Sequence, residues 1–397
     1  MEIKEAKQLM IESAVGISRD DEEISVLKCI GRVIAEDIVA PFSVPSFPKS
    51  AMDGYAVNSV DIRGATREKP VGLEVAGEML AGDYKEIEYV PGRAVRIMTG
   101  AFVPQGYDAI VKQEDTDYGE DRVCVYKPVK AFANYCKVGE DIMMGETVIK
   151  ANTVLTRAHV GMLASLGIVS VKVKQKPTVG ILCTGSELLA PGDRPVPGKI
   201  FNSISYMLAA SLEERGISYK TVICEDEVNA ITENILNFLD SCDVVITTGG
   251  VSVGKKDLLP QVINQIGATQ LFKRVNIKPG TPTTASVREG KIILSLSGNP
   301  YAALCNFDYY FWDLIAHIAD DENWKNKVVT AVLQDSYPKK ENTKRFLRAR
   351  IEDGVVSLEK VNASSVISNL NQCNSYVIID ANREYKKGDE VMVLKIK

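Results

Sequence analysis

Histidine is scarce in this sequence: among 397 residues only His159 and His317 occur, both within helical patterns that favour a structural role. A Ser-His-Asp hydrolase or a histidine-rich metal site is therefore a poor candidate, and any catalysis should rest on carboxylates, lysines and metal. The eight cysteines form no C-x-x-C pair, which disfavours a structural zinc site. Those in apolar patterns are interpreted as reduced core thiols, as is usual in the cytoplasm: Cys183, Cys224, Cys242 and Cys305.

An excess of basic charge is also missing, since 47 Lys and Arg stand against 52 Asp and Glu, a net charge of −5. Binding to duplex nucleic acid normally needs a basic face, so we expect no nucleic-acid partner. No apolar run is long enough to cross a bilayer and no signal pattern is seen, so we expect a cytoplasmic protein without a membrane segment. The length predicts two to four domains.

The apolar patterning changes along the chain and predicts a multidomain fold that combines α/β and β parts. Residues 3–15 have helical spacing, and 27–143 contain short strand-like runs separated by Gly and Pro. Between 177 and 318 strands alternate with helices, which predicts a three-layer α/β domain with a mostly parallel sheet. Alternating strands from 327 onward predict a small β-barrel or sandwich. The strands predicted to be buried in the α/β part are 178–183, 219–224, 243–247 and 291–295.

Chemistry-bearing loops follow the strands of the α/β part, where ligands of open α/β sheets bind. The first strand is followed by Thr184-Gly-Ser-Glu187 and the second by the acids 225–227. The third runs into a glycine-rich turn at 248–254 and then Asp257. The fourth precedes Ser297-Gly-Asn-Pro300, in which Asn299 is predicted to cap a helix and Pro300 to begin it. Because these loops are all predicted to lie at the same edge of the sheet, we expect them to form one shared site for an anion and a metal ion.

The glycine-rich turn is the strongest of these signals. Gly249, Gly250 and Ser252 predict a phosphate cradle, because glycines allow backbone N–H groups to approach a phosphate closely. The candidate Mg²⁺ ligands are the carboxylates of Glu187, Asp226 and Asp257. On the segment alone, a tight turn without a ligand is a competing interpretation. Two loops of the β module, 45–56 and 96–114, combine small, acidic and aromatic residues. A functional site and ordinary turns explain this composition equally well.

Seven motifs, in order along nearly the whole chain, resemble the MoeA/gephyrin E-domain family of molybdopterin molybdenumtransferases. They are Ser50-Ala-Met-Asp-Gly-Tyr-Ala56, Arg96-Ile-Met-Thr-Gly-Ala101, Gly139-Glu-Asp-Ile142, Thr184-Gly-Ser-Glu187, Gly249-Gly-Val-Ser-Val-Gly254 with Asp257, Lys278-Pro-Gly280 and Gly298-Asn-Pro300. The resemblance implies four domains: an N-terminal helical, linking domain (1–26 with 144–176), an inserted β-rich domain (27–143), an α/β molybdopterin-binding domain (177–326) and a C-terminal β-barrel domain (327–397).

The resemblance also implies a reaction, the insertion of molybdate into adenylated molybdopterin with Mg²⁺-dependent release of AMP, the last step of molybdenum cofactor synthesis. It implies a homodimer whose cleft lies between the α/β domain of one subunit and the N-terminal domains of the other. Molybdopterin adenylyltransferase and molybdoenzyme apoproteins are implied as further partners. The implied catalytic residues are Asp53, Thr99, Asp141, Lys278 and Asp226. The implied substrate-binding residues are Thr184, Gly185, Ser186, Glu187, Gly249, Gly250, Ser252, Ser297, Gly298, Asn299, Pro300, Arg348 and Ser365.

Departures from the family pattern lie in the loops expected to contact the oxyanion. Thr281 replaces the second lysine of Lys-Pro-Gly-Lys-Pro, a charge-assisted contact of about 1.5–3 kcal/mol. Ser297 and Ala302 replace a proline and a serine of Pro-Gly-Asn-Pro-Val-Ser, and 363–366 match a Gly-Ser-Gly-like turn only loosely. Ser297, Thr281 or Arg348 could compensate. Two alternatives stay open: a non-catalytic or altered-specificity paralogue (a tungstate insertase or nucleotide-binding scaffold), and a molybdopterin adenylyltransferase.

Overall fold

The computed structural model describes residues 1–17, 20–250, 258–364 and 366–396. Two compact units are distinguished, one formed by Met1–Asp21 with Lys174–Lys397 and the other by Glu22–Val173. Within the described ranges, no helix is both long enough and apolar enough to pass through a membrane.

The first helix and the Glu22–Val173 unit contain short elements. These are α1 Ile3–Ser13, β1 Asp21–Ser25, β2 Ile38–Val39, β3 Lys49–Ser50, β4 Gly54–Val57, β5 Val71–Met79, β6 Arg93–Ile97, β7 Ala109–Lys112, β8 Arg122–Val125, β9 Tyr135–Cys136, β10 Thr147–Ile149, α2 Arg157–Ser165 and β11 Ser170–Lys174. A five-stranded sheet in the order β7-β4-β6-β5-β8 forms the predicted β module. Its apolar residues alternate to pack on both faces.

A separate core in this unit joins chain segments on either side of the five-stranded sheet. Ile34 and Ile38 pack with Leu163, Val171 and Val173. The stretch that starts the predicted inserted domain therefore packs with the segment after it. Helix α1, in contrast, packs into the α/β core through its buried face, whereas the prediction grouped it with 144–176. The four-domain division stays a prediction.

The α/β part contains the predicted alternation of strands and helices. Its elements are β12 Val179–Thr184, β13 Leu188–Leu189, β14 Ile200–Phe201, α3 Ile204–Glu214, β15 Tyr219–Cys224, α4 Val228–Ser241, β16 Val244–Thr248, α5 Leu259–Gln265, β17 Thr269–Lys273, β18 Ile277–Lys278, β19 Thr284–Arg288, β20 Lys291–Leu296 and α6 Pro300–Ala319. The main sheet has the order β15-β12-β16-β20-β19-β17, with parallel pairing from β15 to β20 and antiparallel pairing beyond.

Alternate residues of the central strands explain the three layers. Ile181 faces α1, α3 and α6 in one core, while its neighbour Leu182 faces α4 and α5 in another. Because successive strand residues point to opposite faces, continuous apolar runs such as Val244–Thr248 fit a sheet covered on both sides. This confirms the three-layer α/β prediction.

The prediction that 219–224 is a buried strand was wrong. β15 is the edge strand of the sheet, and Tyr219 and Ile223 are among the exposed large apolar residues. The local pattern could not show this, because an edge and a central strand differ in their neighbours and not in their own sequence. Cys224 on this strand is only half-buried, whereas Cys183, Cys242 and Cys305 are buried as expected; all four are free thiols.

The last strands close into the predicted barrel. They are β21 Val328–Leu333, β22 Lys344–Glu352, β23 Val355–Leu358, β24 Ser375–Ile379 and β25 Glu390–Lys395. A ring of pairings runs β22-β23-β21-β25-β24 and returns to β22. The two-residue strand β18 joins this barrel by pairing in parallel with β22.

Both histidines have structural contacts. His317 Nε2 lies 3.1 Å from the carbonyl of Ala14. His159 Nδ1 accepts the backbone N–H of Thr156, the N-cap residue of α2, at 3.0 Å. Neither contact involves a residue of the predicted site.

Candidate functional site

The ends of three adjacent parallel strands converge at Thr184, Gly249 and Gly298. A Cβ at Gly249 would lie 2.2 Å from the backbone oxygen of Thr184, and one at Gly298 would lie 3.6 Å from Gly249 Cα. Gly249 also has φ +90°, a conformation that residues with a side chain rarely adopt. Glycine is therefore required at 249 both for backbone conformation and for space.

A buried hydroxyl, that of Thr184, lies at this convergence. Thr184 is 6% exposed, and its Oγ1 has no hydrogen-bond partner among the residues that the structure describes. That oxygen would lie 2.8 Å from a Cβ at Gly249 and 3.5 Å from one at Gly250. A buried hydroxyl without a partner costs about 1–3 kcal/mol, and a ligand oxygen in the glycine turn would remove that cost.

Two predicted carboxylates flank the same strand ends. Both carboxylate oxygens of Glu187 lie 2.9 Å from the position of a Cβ at Gly185. The Gly185 N–H points to the carbonyl of Cys224 at 3.4 Å, two residues before Asp226. Carboxylates are the donors that Mg²⁺ prefers, so the donor chemistry fits this ion. Across the described ranges, no three His, Cys, Asp or Glu side chains meet as a metal-holding group, and Mg²⁺ binding stays a prediction.

The start of α6 forms the third side of the convergence. As predicted, Asn299 caps the helix: its Oδ1 accepts the N–H of Ala302 at 3.1 Å, and Pro300 begins the helix. The Asn299 N–H in turn donates to Ser297 Oγ at 3.2 Å, and Asn299 Nδ2 donates to the carbonyl of Ser364 at 3.0 Å. This cap links the α/β domain to the barrel.

The loop after β18 is joined to α6 by a hydrogen bond. Asn306 Nδ2 donates to the carbonyl of Pro279 at 3.0 Å, and a Cβ at Gly280 would lie 1.9 Å from that nitrogen. Thr281 Oγ1 donates to the carbonyl of Ile277 at 2.6 Å. The hydroxyl proton of Thr281 is therefore used within the loop.

Lys278, the last residue of β18, has its side chain 53% exposed, and its Nζ lies 3.6 Å from Glu341 Oε2. Glu341 was not among the predicted site residues. No pattern in the sequence could find it, because it lies on a loop of the barrel 63 positions later and meets Lys278 only through the β18–β22 pairing.

Arg348, predicted to contact the oxyanion, is fully buried. Its guanidinium donates to Asn369 Oδ1 at 2.7 Å and to the carbonyls of Val361, Ala363 and Val366. It also stacks over the ring of Tyr301 at 4.1 Å. These contacts give Arg348 a structural role in holding the 361–369 loop, and a ligand contact stays a prediction.

In the other unit the predicted residues Asp53 and Thr99 are in direct contact. Asp53 Oδ1 accepts the Thr99 N–H at 2.7 Å and its hydroxyl at 2.8 Å. These two hydrogen bonds hold the pKa of the Asp53 carboxyl below its usual range. Asp141 is exposed, and its N–H donates to the carbonyl of Val44 at 3.0 Å. Asp53 is therefore an exposed, oriented carboxylate.

Three of the predicted site residues, Ser252, Asp257 and Ser365, lie outside the described residues. The predictions for a phosphate contact at Ser252, a metal ligand at Asp257 and a substrate contact at Ser365 stay predictions. Ser186 is exposed, and its carbonyl accepts Lys199 Nζ at 3.0 Å.

Similarity to known proteins extends over nearly the whole chain. The chain matches the MoeA N-terminal region (domain I and II) over residues 1–167, a probable molybdopterin binding domain over 180–317 and the MoeA C-terminal region (domain IV) over 330–396. Molybdopterin molybdenumtransferase of Bacillus subtilis is 35% identical over 389 residues, 95% of this chain and 90% of that protein. This chain belongs to the MoeA family.

Other relatives agree with this assignment. Molybdopterin molybdenumtransferase of Staphylococcus aureus MRSA252 is 34% identical over 90% of this chain and 84% of its own length. Among solved structures, a molybdopterin biosynthesis MoeA protein of Pyrococcus horikoshii covers 100% of this chain and 99% of its own, with TM-score 0.87 and 28% identity. A second structure from this organism has TM-score 0.78 and 30% identity, with the same coverage. The MoeA fold and the resemblance stated from the motifs are confirmed.

Proposed function

We propose that this chain is a molybdopterin molybdenumtransferase, which inserts molybdate into adenylated molybdopterin with Mg²⁺-dependent release of AMP. The observation that carries the proposal is the convergence of Thr184, Gly249 and Gly298, a glycine-lined space with a buried hydroxyl that has no partner among the residues that the structure describes. Such a space suits phosphate oxygens. Membership of the MoeA family supports the substrate class.

Cleavage of a phosphoanhydride depends on charge neutralisation and positioning more than on a strong base. In this proposal the turn at Gly249 and Gly250 positions the phosphate, and the Thr184 hydroxyl donates a hydrogen bond to a phosphate oxygen. Glu187 and Asp226, with Asp257, would hold Mg²⁺, which supplies neutralisation of phosphate charge when bound. The scarcity of histidine is then no obstacle to catalysis.

The test uses the full-length protein with adenylated molybdopterin, Mg²⁺ and molybdate or tungstate. Release of AMP together with cofactor formation supports the proposal. Tight nucleotide binding without turnover on either oxyanion would instead favour a scaffold, and ATP-dependent adenylation of molybdopterin would favour an adenylyltransferase. Omitting Mg²⁺ should stop AMP release, and activity unaffected by a chelator would refute the metal part.

We expect Asp53→Asn to lower turnover about 10- to 100-fold while the protein remains folded. The asparagine keeps the oxygen that accepts the two Thr99 hydrogen bonds but removes the negative charge. Steady-state AMP release and thermal unfolding measure the two effects. Asp83→Asn is the matched control, since Asp83 is another carboxylate of the same unit and pairs with Lys85 at 2.9 Å. Equal turnover of Asp53→Asn and wild type would show that the charge has no part in the reaction.

The proposal includes a homodimer whose cleft uses both subunits. Exposed apolar residues on the α/β domain support an interface: Ile200, Phe201, Tyr206 and Ile223 are 58%, 42%, 54% and 42% exposed. If Asp53 serves the α/β domain of the partner, mixing Asp53→Asn protein with Gly249→Ala protein should restore activity, because each heterodimer carries one intact cleft. Heterodimers recovered through two different affinity tags, one on each variant, that show no gain in activity would contradict a shared cleft.

A further inference from the structure

A short two-stranded sheet brings Lys199 back to the strand end that carries Thr184. β13 and β14 pair in parallel, with Leu188 in register with Ile200. The backbone N–H of Ile200 donates to the carbonyl of Glu187 at 2.9 Å. Lys199, the residue directly before β14, therefore lies beside Glu187, although the two are 12 positions apart in the chain.

The backbone that leads into Lys199 is constrained by a turn. The Lys199 N–H donates to the carbonyl of Val196 at 3.0 Å, and Gly198 has φ +80°. Pro197 and Gly198 occupy the two central positions, as in a type II turn, where proline suits the first position and glycine the second. The position from which the Lys199 side chain extends is therefore set by local chain chemistry and by the pairing of β13 with β14.

The ammonium group of Lys199 is oriented by one hydrogen bond and keeps its charge. Nζ donates to the carbonyl of Ser186 at 3.0 Å. An ammonium group has three N–H donors, so two are left for other acceptors. Lys199 is exposed, and none of the carboxylates that the structure describes forms an ion pair with it. The side chain thus presents a positive charge at this strand end.

This charge lies close to the glycine turn. Ser186 follows Thr184 by two residues, a span of at most about 7 Å. The Thr184 hydroxyl would lie 2.8 Å from a Cβ at Gly249, so strand end and turn are in contact. Because lysine carries its ammonium group on a flexible four-carbon stem, the Lys199 Nζ can reach a phosphate in the turn from its place at Ser186.

Charge balance at this strand end favours a cation in addition to the proposed metal ion. The carboxylates of Glu187 and Asp226 flank the site, and a phosphate monoester adds a charge of about −1.5 to −2. One Mg²⁺ would leave these groups with a net negative charge, and like charges held close together repel each other. Lysine is a usual ligand of phosphate, and Lys199 would reduce this excess.

We propose that Lys199 is a phosphate-binding residue of this chain and contacts the phosphate of the adenylate group through the N–H donors that Ser186 leaves free. The identity of the ligand as an adenylate rests on the proposed function; the place of the cation rests on the β13–β14 pairing and the Ser186 contact. Lys199 was not among the predicted site residues, because only this pairing brings it back to Glu187.

The experiment compares the binding of AMP and of adenosine to the full-length protein with Mg²⁺ present, by calorimetry. Lys199→Met removes the charge and keeps an unbranched side chain. We expect it to weaken AMP binding about tenfold and to leave adenosine binding unchanged, because adenosine has no phosphate. Added salt should also weaken AMP binding less in Lys199→Met than in wild type. Lys199→Arg should restore most of the AMP affinity, because it keeps the charge.

Lys220→Met is the matched control. Lys220 is an exposed lysine near the start of β15, which runs parallel to β12, so it lies at the opposite end of the same sheet. Its replacement should leave AMP affinity unchanged. Thermal unfolding of each variant separates loss of binding from loss of folding, and Lys199→Gln, also without charge, covers the case in which the methionine variant does not fold.

The proposal would be overturned by unchanged AMP affinity in Lys199→Met, by an equal loss of AMP and adenosine affinity, or by an equal loss of AMP affinity in Lys220→Met. A wild type that binds no AMP would overturn it as well. Because binding is measured without turnover, a wild type that binds AMP but releases none from adenylated molybdopterin would refute the proposed function and leave the Lys199 result to decide this site.

Discussion

Gly249→Ala should reduce AMP release about 100-fold or more, the size of effect that a displacement of about 1 Å in a reacting group produces. The added methyl would lie 2.2 Å from the backbone oxygen of Thr184, so the turn must move away from the strand end. Nucleotide affinity should fall as well, because the same turn is proposed to hold the phosphate. Single-turnover AMP release and nucleotide calorimetry measure the two losses.

Backbone strain must be separated from loss of space in this experiment. Gly192→Ala is the matched control: Gly192 has φ +102° and nothing within 4 Å of an added Cβ, so it introduces the strain without the clash. We expect near-normal activity from it. An active Gly249→Ala enzyme with normal nucleotide affinity would show that the turn does not bind the phosphate.

Asp308→Asn should remove most of a pH dependence of stability. Asp308 is enclosed on α6, and its burial raises the pKa of its carboxyl to about 7, although hydrogen bonds from Tyr376 and Trp312 oppose the shift. Tyr376 OH donates to Asp308 Oδ2 at 3.1 Å. A neutral asparagine oxygen can accept the same bond, so the substitution removes charge and keeps most of the packing.

The sign follows from the raised pKa. Below about pH 4 the carboxyl is protonated in the folded and the unfolded chain, so it contributes no pH dependence. As pH rises from about 4 to 7, the unfolded chain releases its proton first, and the free energy of unfolding falls by about 1.4 kcal/mol per pH unit. Above about pH 7 both states are ionised and the loss is complete.

Chemical denaturation at pH 5 and pH 8 checks this expectation. Between pH 5 and pH 8 the wild type should lose about 3 kcal/mol of unfolding free energy that Asp308→Asn does not lose, because about two pH units of the fall lie above pH 5. Asp313→Asn, on the same helix, removes the ion pair with Lys7 at 3.0 Å and serves as control. Parallel pH profiles for wild type and Asp308→Asn would show that the buried carboxyl does not titrate as stated.

Local signals in the sequence predicted the elements that local chemistry determines. The cap at Asn299 and the strand predicted at 243–247, observed as Val244–Thr248, need only neighbouring residues, and both predictions are confirmed. β17 and β19 were missed because their mixed polar composition gives no clear alternation, and their place beside β20 depends on pairing across the sheet. β15 was placed in the interior for the same reason.

The candidate site was only partly predictable. Loops after parallel strands identify Thr184, Gly249 and Gly298, because the topology brings such loops to one edge. The burial of the Thr184 hydroxyl and the Glu341 contact of Lys278 depend on distances between segments far apart in the chain. No pattern within one segment contains them.

Helix α6 has 16 of its 20 residues buried, and its aromatic side chains share one core with Phe346 and Tyr376 of the barrel. A helix with apolar residues all round cannot face water after one of its neighbours is removed. The barrel is therefore not a separable appendage: α/β domain and barrel should unfold as one cooperative unit, and a chain shortened before β21 would expose an aggregation-prone surface.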